Sequence, residues 1–185
     1  MTASTVFVPI MGFTQDTSRV TGIEKIWREL RLRSSAETWV LPPQVWDADW
    51  VALANLIRNN ARQDAEVVVV AYSWGAGHGF VTLAKELDKH GIGIRRAILA
   101  DPVHRSTRTL LRWRSLVNRG PLAPTIKIPR NVGSVFWTRQ NRNKPQAHDL
   151  SGAGMIFDPV VVDCDHDQMD DCDEFRNLVM EATDG

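Results

Sequence analysis

Cysteine is scarce in this chain, with Cys164 and Cys172 the only two. That is too few for the disulfide framework of a small secreted domain. Their separation is not the close pairing of a zinc ribbon either, so reduced thiols are expected. Long apolar runs are missing as well. No stretch approaches the roughly 20 residues that span a bilayer, and Met1 to Ile10 has neither a basic start nor a long apolar core. A cytoplasmic protein without a membrane span is expected. Also absent are an internal repeat, a linker and a Gly-x-x-x-x-Gly-Lys-Ser/Thr loop. The run Ser73-Trp74-Gly75-Ala76-Gly77 lacks the lysine that phosphate loops use, which counts against a nucleotide-binding protein.

Net charge is zero, from 22 basic and 22 acidic residues, but the signs are segregated. Residues 95–144 hold twelve Lys or Arg against the single acid Asp101, while residues 158–185 hold ten Asp or Glu against the single base Arg176. The two regions can attract each other within the fold, or the basic one can face an anionic substrate or partner. No aromatic-interleaved or base-reading motif accompanies the arginines, so a solvated surface is the simpler reading and nucleic acid is not an expected partner. With 185 residues, 43% of them hydrophobic and 24% charged, residues 1–185 are expected to form one globular domain.

Apolar strand-like runs alternate with longer amphipathic segments. Val6 to Ile10 reads as a strand and Ile23 to Leu32 as a helix. Thr38 to Leu41 is a second strand closed by Pro42-Pro43, and Asp47, a plausible N-cap, opens a helix that runs to about Arg62. Glu66 to Tyr72 is the central strand, followed by a helix that ends near Gly91. Arg96 to Ala100, Val132 to Trp137 and Pro159 to Asp163 are further strands. His104 to Val117 and Gln168 to Ala182 read as helices. The alternation predicts an α/β class, a single-domain three-layer α/β/α sandwich with a mainly parallel sheet of about six strands. In such sheets ligands gather at the carboxyl ends of the strands.

One of those ends stands out. Four consecutive valines, Val67 to Val70, suit a strand covered on both faces, and the run Ala71-Tyr72-Ser73-Trp74-Gly75 then places a serine among small residues. This is a nucleophile-elbow pattern, Gly-x-Ser-x-Gly, with alanine in place of the first glycine. Small neighbours are needed because the serine backbone is strained and strand and helix approach closely there.

A serine hydroxyl needs a base, and the base needs a group that holds its tautomer. Of the five histidines, His78 falls in the helix after the serine, His90 near that helix's far end, His104 just after Asp101 and His148 in a polar loop. His166 lies between the last strand and the final helix and is the best placed. Asp101 stands at the end of the strand after the serine strand, with Pro102 keeping it out of a helix. The plain alternative for Asp101 is a turn or N-cap aspartate. Asp163, Asp165, Asp167, Asp170 and Asp171 are rivals on the histidine's own loop. Near the first strand, Pro9 to Thr14 runs into a turn at Gly12, which frees backbone N–H groups. Trp74 and Phe13 are the candidate oxyanion donors, and a tight β-α turn without chemistry is the alternative. Met11, Thr14 and Trp113 are candidate substrate contacts.

The order Ser73, Asp101, His166, the small-residue elbow and the glycine turn together resemble the α/β-hydrolase superfamily, especially its small cutinase-like and lipase-like members, over nearly the whole chain. The resemblance implies hydrolysis of a small-molecule ester or thioester through an acyl-enzyme on Ser73, with no cofactor. It departs in two places. The family's acid usually follows the next strand, yet Thr138-Arg139-Gln140-Asn141 holds none. Many members also carry a histidine where this chain has Met11. A small cap around residues 104–130 is possible, with Leu110, Leu111, Trp113 and Leu116 either walling a substrate or packing in the core, core packing being the expectation. A non-catalytic hydrolase-fold binding protein with a basic surface is the alternative from another class, and a peptidase or acyltransferase with the same triad is open.

The acids of Asp163 to Glu174 approach a calcium-loop register, but Gln168 stands where that loop requires glycine. Cys164, His166 and Cys172 do not match a closed zinc site. No metal is expected. Asp170, Asp171, Asp173 and Glu174 are read as first-turn residues of the last helix.

Overall fold

The computed structural model describes residues 2–15, 20–106, 108–117 and 120–182. The chain opens with strand β1 (Ala3–Ile10), helix α1 (Gly22–Arg33), the short strand β2 (Thr38–Val40) and helix α2 (Trp50–Asn60). Strand β3 (Ala61–Tyr72) is the longest and leads through a wide π-helical turn (Gly75–Gly79) into α3 (Phe80–Asp88) and then β4 (Ile94–Ala100). After a 3₁₀ turn (Thr109–Leu116) come β5 (Ile126–Ile128), β6 (Val132–Arg139), β7 (Leu150–Gly152), β8 (Met155–Ile156) and β9 (Val160–Val161). A 3₁₀ turn (His166–Gln168) and α4 (Asp173–Glu181) complete the described chain.

Among the described residues the main sheet has seven strands in the order β2-β1-β3-β4-β6-β8, with β9 pairing further along β6. Every pairing in it is parallel. β5 and β7 form a separate parallel pair. The valine run shows why the sheet is buried on both sides. Val67, Val69 and Ala71 face the layer of α2 and α3, with Trp50, Leu53, Ile57, Phe80, Leu83 and Leu87. Val68, Val70 and Tyr72 face the layer of α1 and α4, with Ile23, Ile26, Leu30, Phe175 and Val179. Strand alternation thus divides one apolar run between two cores. Each such side chain contributes about 1.5–3 kcal/mol by leaving water.

Three local readings are corrected. Helix α2 is capped by Asp49, whose carboxylate accepts from the Ala52 N–H at 2.9 Å. Asp47 lies in a preceding turn closed by Ala48 N–H to Val45 C=O. Among the described residues of 104–117 no α-helix forms. That stretch carries Arg108 and Arg112 at a like-charge i,i+4 spacing and no acid to offset them. Only the 3₁₀ turn forms, and it leaves Leu110, Trp113 and Leu116 exposed instead of packed in the core. The last helix starts at Asp173, so Asp170 and Asp171 precede it. Buried Asp170 is drawn aside by bonds to Gln15 and to the N-terminus of α1.

Candidate active site

The ends of β1, β3, β4 and β6 lie side by side, so the residues that follow them meet. After β3 the chain turns at Ser73, which takes a left-handed backbone with φ 53° and is buried. The two glycines beyond it are forced. A Cβ on Gly75 would lie 2.4 Å from the Met11 carbonyl oxygen, and one on Gly77 would lie 1.9 Å from that of Val103. Val103 N–H donates to the Ser73 C=O at 3.0 Å, tying the turn after β4 to the elbow. Asp101 also has a positive φ, 40°, and its side chain is fully buried.

Ser73 Oγ lies 2.9 Å from His166 Nε2, and His166 Nδ1 lies 2.6 Å from Asp101 Oδ2. An ionised carboxylate only accepts, so Nδ1 carries the proton and Nε2 is left to accept from the serine hydroxyl. The Asp101 carboxylate is held by further donors. Its Oδ1 accepts from the Gln140 and Ala147 N–H groups at 3.3 and 2.9 Å, and its Oδ2 also accepts from Gln140 Nε2 at 3.1 Å. His166 is anchored by its backbone, its N–H donating to Asn143 Oδ1 at 2.8 Å and its C=O accepting from the Tyr72 hydroxyl at 2.7 Å. Burial, with Asp170 and Asp101 nearby, raises the Tyr72 phenol further above its ordinary range and keeps it a donor.

At the end of β1, Gly12 N–H donates to Gln15 Oε1 at 3.0 Å, and Gln15 Nε2 donates to Asp170 Oδ2 at 2.9 Å. The same carboxylate oxygen accepts from Ile23 N–H at 3.1 Å. Burial raises the Asp170 carboxyl above the ordinary carboxylate range. One buried acid therefore joins the glycine turn, the start of α1 and the segment that carries His166. Thr14 has φ 68°. With Phe13, Gln15, Tyr72 and Asp167 it lines a cleft of about 620 Å³. Met11, in contrast, packs in the α1/α4 core and is 1% exposed.

An aromatic wall flanks the serine. Phe13 and Trp74 rings are 4.0 Å apart, Trp46 meets both edge-on, and the Arg105 guanidinium sits 4.1 Å from the Trp74 ring and 4.8 Å from that of Trp46. Trp113, on the 3₁₀ turn, is half-exposed. That turn is pinned by buried His148. The Nδ1 of His148 accepts from His104 N–H at 3.1 Å, so its Nε2–H faces the carbonyls of Arg114 and Val117 at 3.3 and 3.0 Å. Burial holds the His148 imidazole below its ordinary range, in the neutral form this bonding requires.

Sequence reasoning placed Ser73, Asp101 and His166 at strand ends but missed Gln140, Trp46 and Gln15 as neighbours of the site, and named Asp170 only as a rival acid for the histidine, where it instead holds Gln15 and the start of α1. Gln140 had a readable signal, being the polar residue at the strand end where an acid was sought. The others are single residues in loops whose partners are distant in the chain. Among the described residues, no group of three or more His, Cys, Asp or Glu side chains is arranged to hold a metal ion. No described helix is long and apolar enough to cross a membrane.

No family model and no curated protein matches the chain. Among solved structures it is similar to YbtT, a type II thioesterase from the yersiniabactin NRPS/PKS biosynthetic pathway. The identity is 14% and the TM-score 0.53, over 98% of this chain and 92% of that one. At that identity the likeness is one of architecture, and with the parallel sheet and its flanking helices it shows that the chain has the α/β-hydrolase fold.

Proposed function

We propose that the chain is a serine hydrolase that cleaves a small-molecule carboxylic ester or thioester through an acyl-enzyme on Ser73. The observation that carries this reading is the hydrogen-bonded chain from the Ser73 hydroxyl through His166 to the buried Asp101 carboxylate, at the strand ends. Ser73 Oγ attacks the acyl carbon as its proton passes to His166 Nε2. The oxyanion that forms is held by the N–H groups of Trp74 and Phe13, each worth about 3–4 kcal/mol in such a role. The C–O or C–S bond then breaks, and the leaving alcohol or thiol takes the proton from His166. Water next gives a proton to Nε2 and attacks the acyl group. The acid departs as Ser73 recovers that proton. Atoms balance with no cofactor. Asp101 accepts from Nδ1 throughout and stabilises the imidazolium.

In this reading residues 1–185 are a single catalytic domain. Phe13, Thr14 and Trp74 wall the acyl group, and residues 104–130, including Trp113, form a small cap. The type II thioesterase named among solved structures puts thioesters first in a substrate screen. Labelling with a fluorophosphonate probe tests the reading. The native chain is expected to label, and Ser73→Ala and His166→Ala, shown to be folded by circular dichroism, are expected not to. A native chain that stays unlabelled would turn the assignment to a binding protein on a hydrolase fold.

A further inference from the structure

Beside the elbow lies a second groove, of about 340 Å³, whose charges the hydrolase reading does not use. Lys85 from the last turn of α3, Lys127 from β5 and Arg105 from the turn after β4 converge on it, with His78, His104 and Ser106 between them. No Asp or Glu is among the described residues that line it, in a chain with equal numbers of acids and bases. Some basic side chains elsewhere meet carboxylates, as Lys25 meets Asp171, Lys89 meets Glu86 and Arg176 meets Glu29, whereas others, such as Arg58 and Lys144, form no ion pair among the described residues. Lys85 and Lys127 form no ion pair among the described residues, and Arg105 Nε is buried without a hydrogen-bond partner. Three separate elements thus bring like charges to one groove, and the described carboxylate that acts on Arg105, Asp47, stands outside its lining.

We propose that this groove binds a phosphate group, free or as the ester of a small organic molecule. Lysine and arginine donate strong charge-assisted bonds to phosphate oxygens, and a neutral imidazole or a serine hydroxyl adds a donor. The volume falls within the range of about 300–1,000 Å³ usual for small-molecule sites, and Val81 and Ile126 give an apolar side to an organic part. Of the two imidazoles, His78 is the one that feels the groove's cations, after burial and against Asp47. Burial, then Arg105 and Lys85, hold His78 below its ordinary range. Burial and neighbouring His148 and Arg114 push His104 down to about 4. Arg105 belongs both to this groove and to the wall over Trp74, so an occupant lies next to the elbow. The inference goes beyond the proposed hydrolysis and does not depend on it.

The test is titration of the full chain with inorganic phosphate, phenyl phosphate and phenol, followed through the ring resonances of His78 and His104. Saturable shifts are expected with a phosphate and none with phenol. Lys85→Ala/Lys127→Ala should weaken binding by about tenfold or more, whereas Lys25→Ala/Arg28→Ala, which removes the same charge from α1, should leave it unchanged. Equal affinity for the two phosphates assigns the free ion, and tighter phenyl phosphate assigns an ester. Absence of saturation, or equal weakening by both double variants, overturns the site. Ser73→Ala should bind phosphate as the native chain does, which separates this result from the fate of the hydrolase reading.

Discussion

Asp101 accepts from Gln140, Ala147 and His166 while wholly out of solvent, so its charge is compensated by donors alone. Asp101→Asn removes the acceptor opposite His166 Nδ1 and allows the ring to turn to the wrong tautomer. The probe-labelling rate is then expected to fall by about 10³–10⁴, with the far-ultraviolet dichroism unchanged; a rate within a few-fold of native would remove Asp101 from the mechanism. Ser73 and Asp101 were legible as residues because each follows an unmistakable strand. Gln140 was legible only as a polar residue where an acid was sought, since nothing in Thr138-Arg139-Gln140-Asn141 announces that an amide will reach back to a carboxylate on the neighbouring strand.

At the scale of elements, the turn after β1 owes its shape to Gln15 and the buried Asp170. Gln15→Ala and Asp170→Ala should each reduce turnover by about tenfold or more, by loosening the backbone that carries the Phe13 N–H. The double variant should lose little beyond either single one, because both act through one chain of bonds. Additive losses would show that the two residues act separately, and a rise in KM with kcat preserved would place the clasp outside catalysis. This clasp was hidden in the sequence by the separation of its partners. The long strands and the helices α1 to α3 were plain from period and caps, although the cap of α2 proved to be Asp49. Residues 104–117 misled, because leucine and tryptophan spacing imitates a helical face while four arginines in the same stretch oppose one.

Across the whole molecule, the parallel sheet with helices on both faces was readable from the alternation of elements, whereas the small β5–β7 pair was too brief to leave a periodic signal. The histidines make stability depend on pH. Burial holds His78, His104 and His148 below 6.5, His104 at about 4, so the unfolded chain takes up protons that the native one refuses as the pH falls through 6.5. Stability should therefore decline from about 6.5 towards 4 and vary little just above that window. Asp170 opposes this trend because burial raises its carboxyl, but three imidazoles act against it. Urea midpoints across this range check the slope, which His104→Gln should flatten. A native-chain midpoint that rises with acidification would contradict it.

The main sheet also tapers. Its inner strands β1, β3, β4 and β6 are long, but one margin is the three-residue β2 followed by Pro42-Pro43, and the other is made of the two-residue β8 and β9, broken by Pro159. A foreign strand seeking to extend the sheet finds only a few free backbone groups on either side, and prolines beside them that cannot donate. The apolar centre of the main sheet is thereby shielded from strand-by-strand extension.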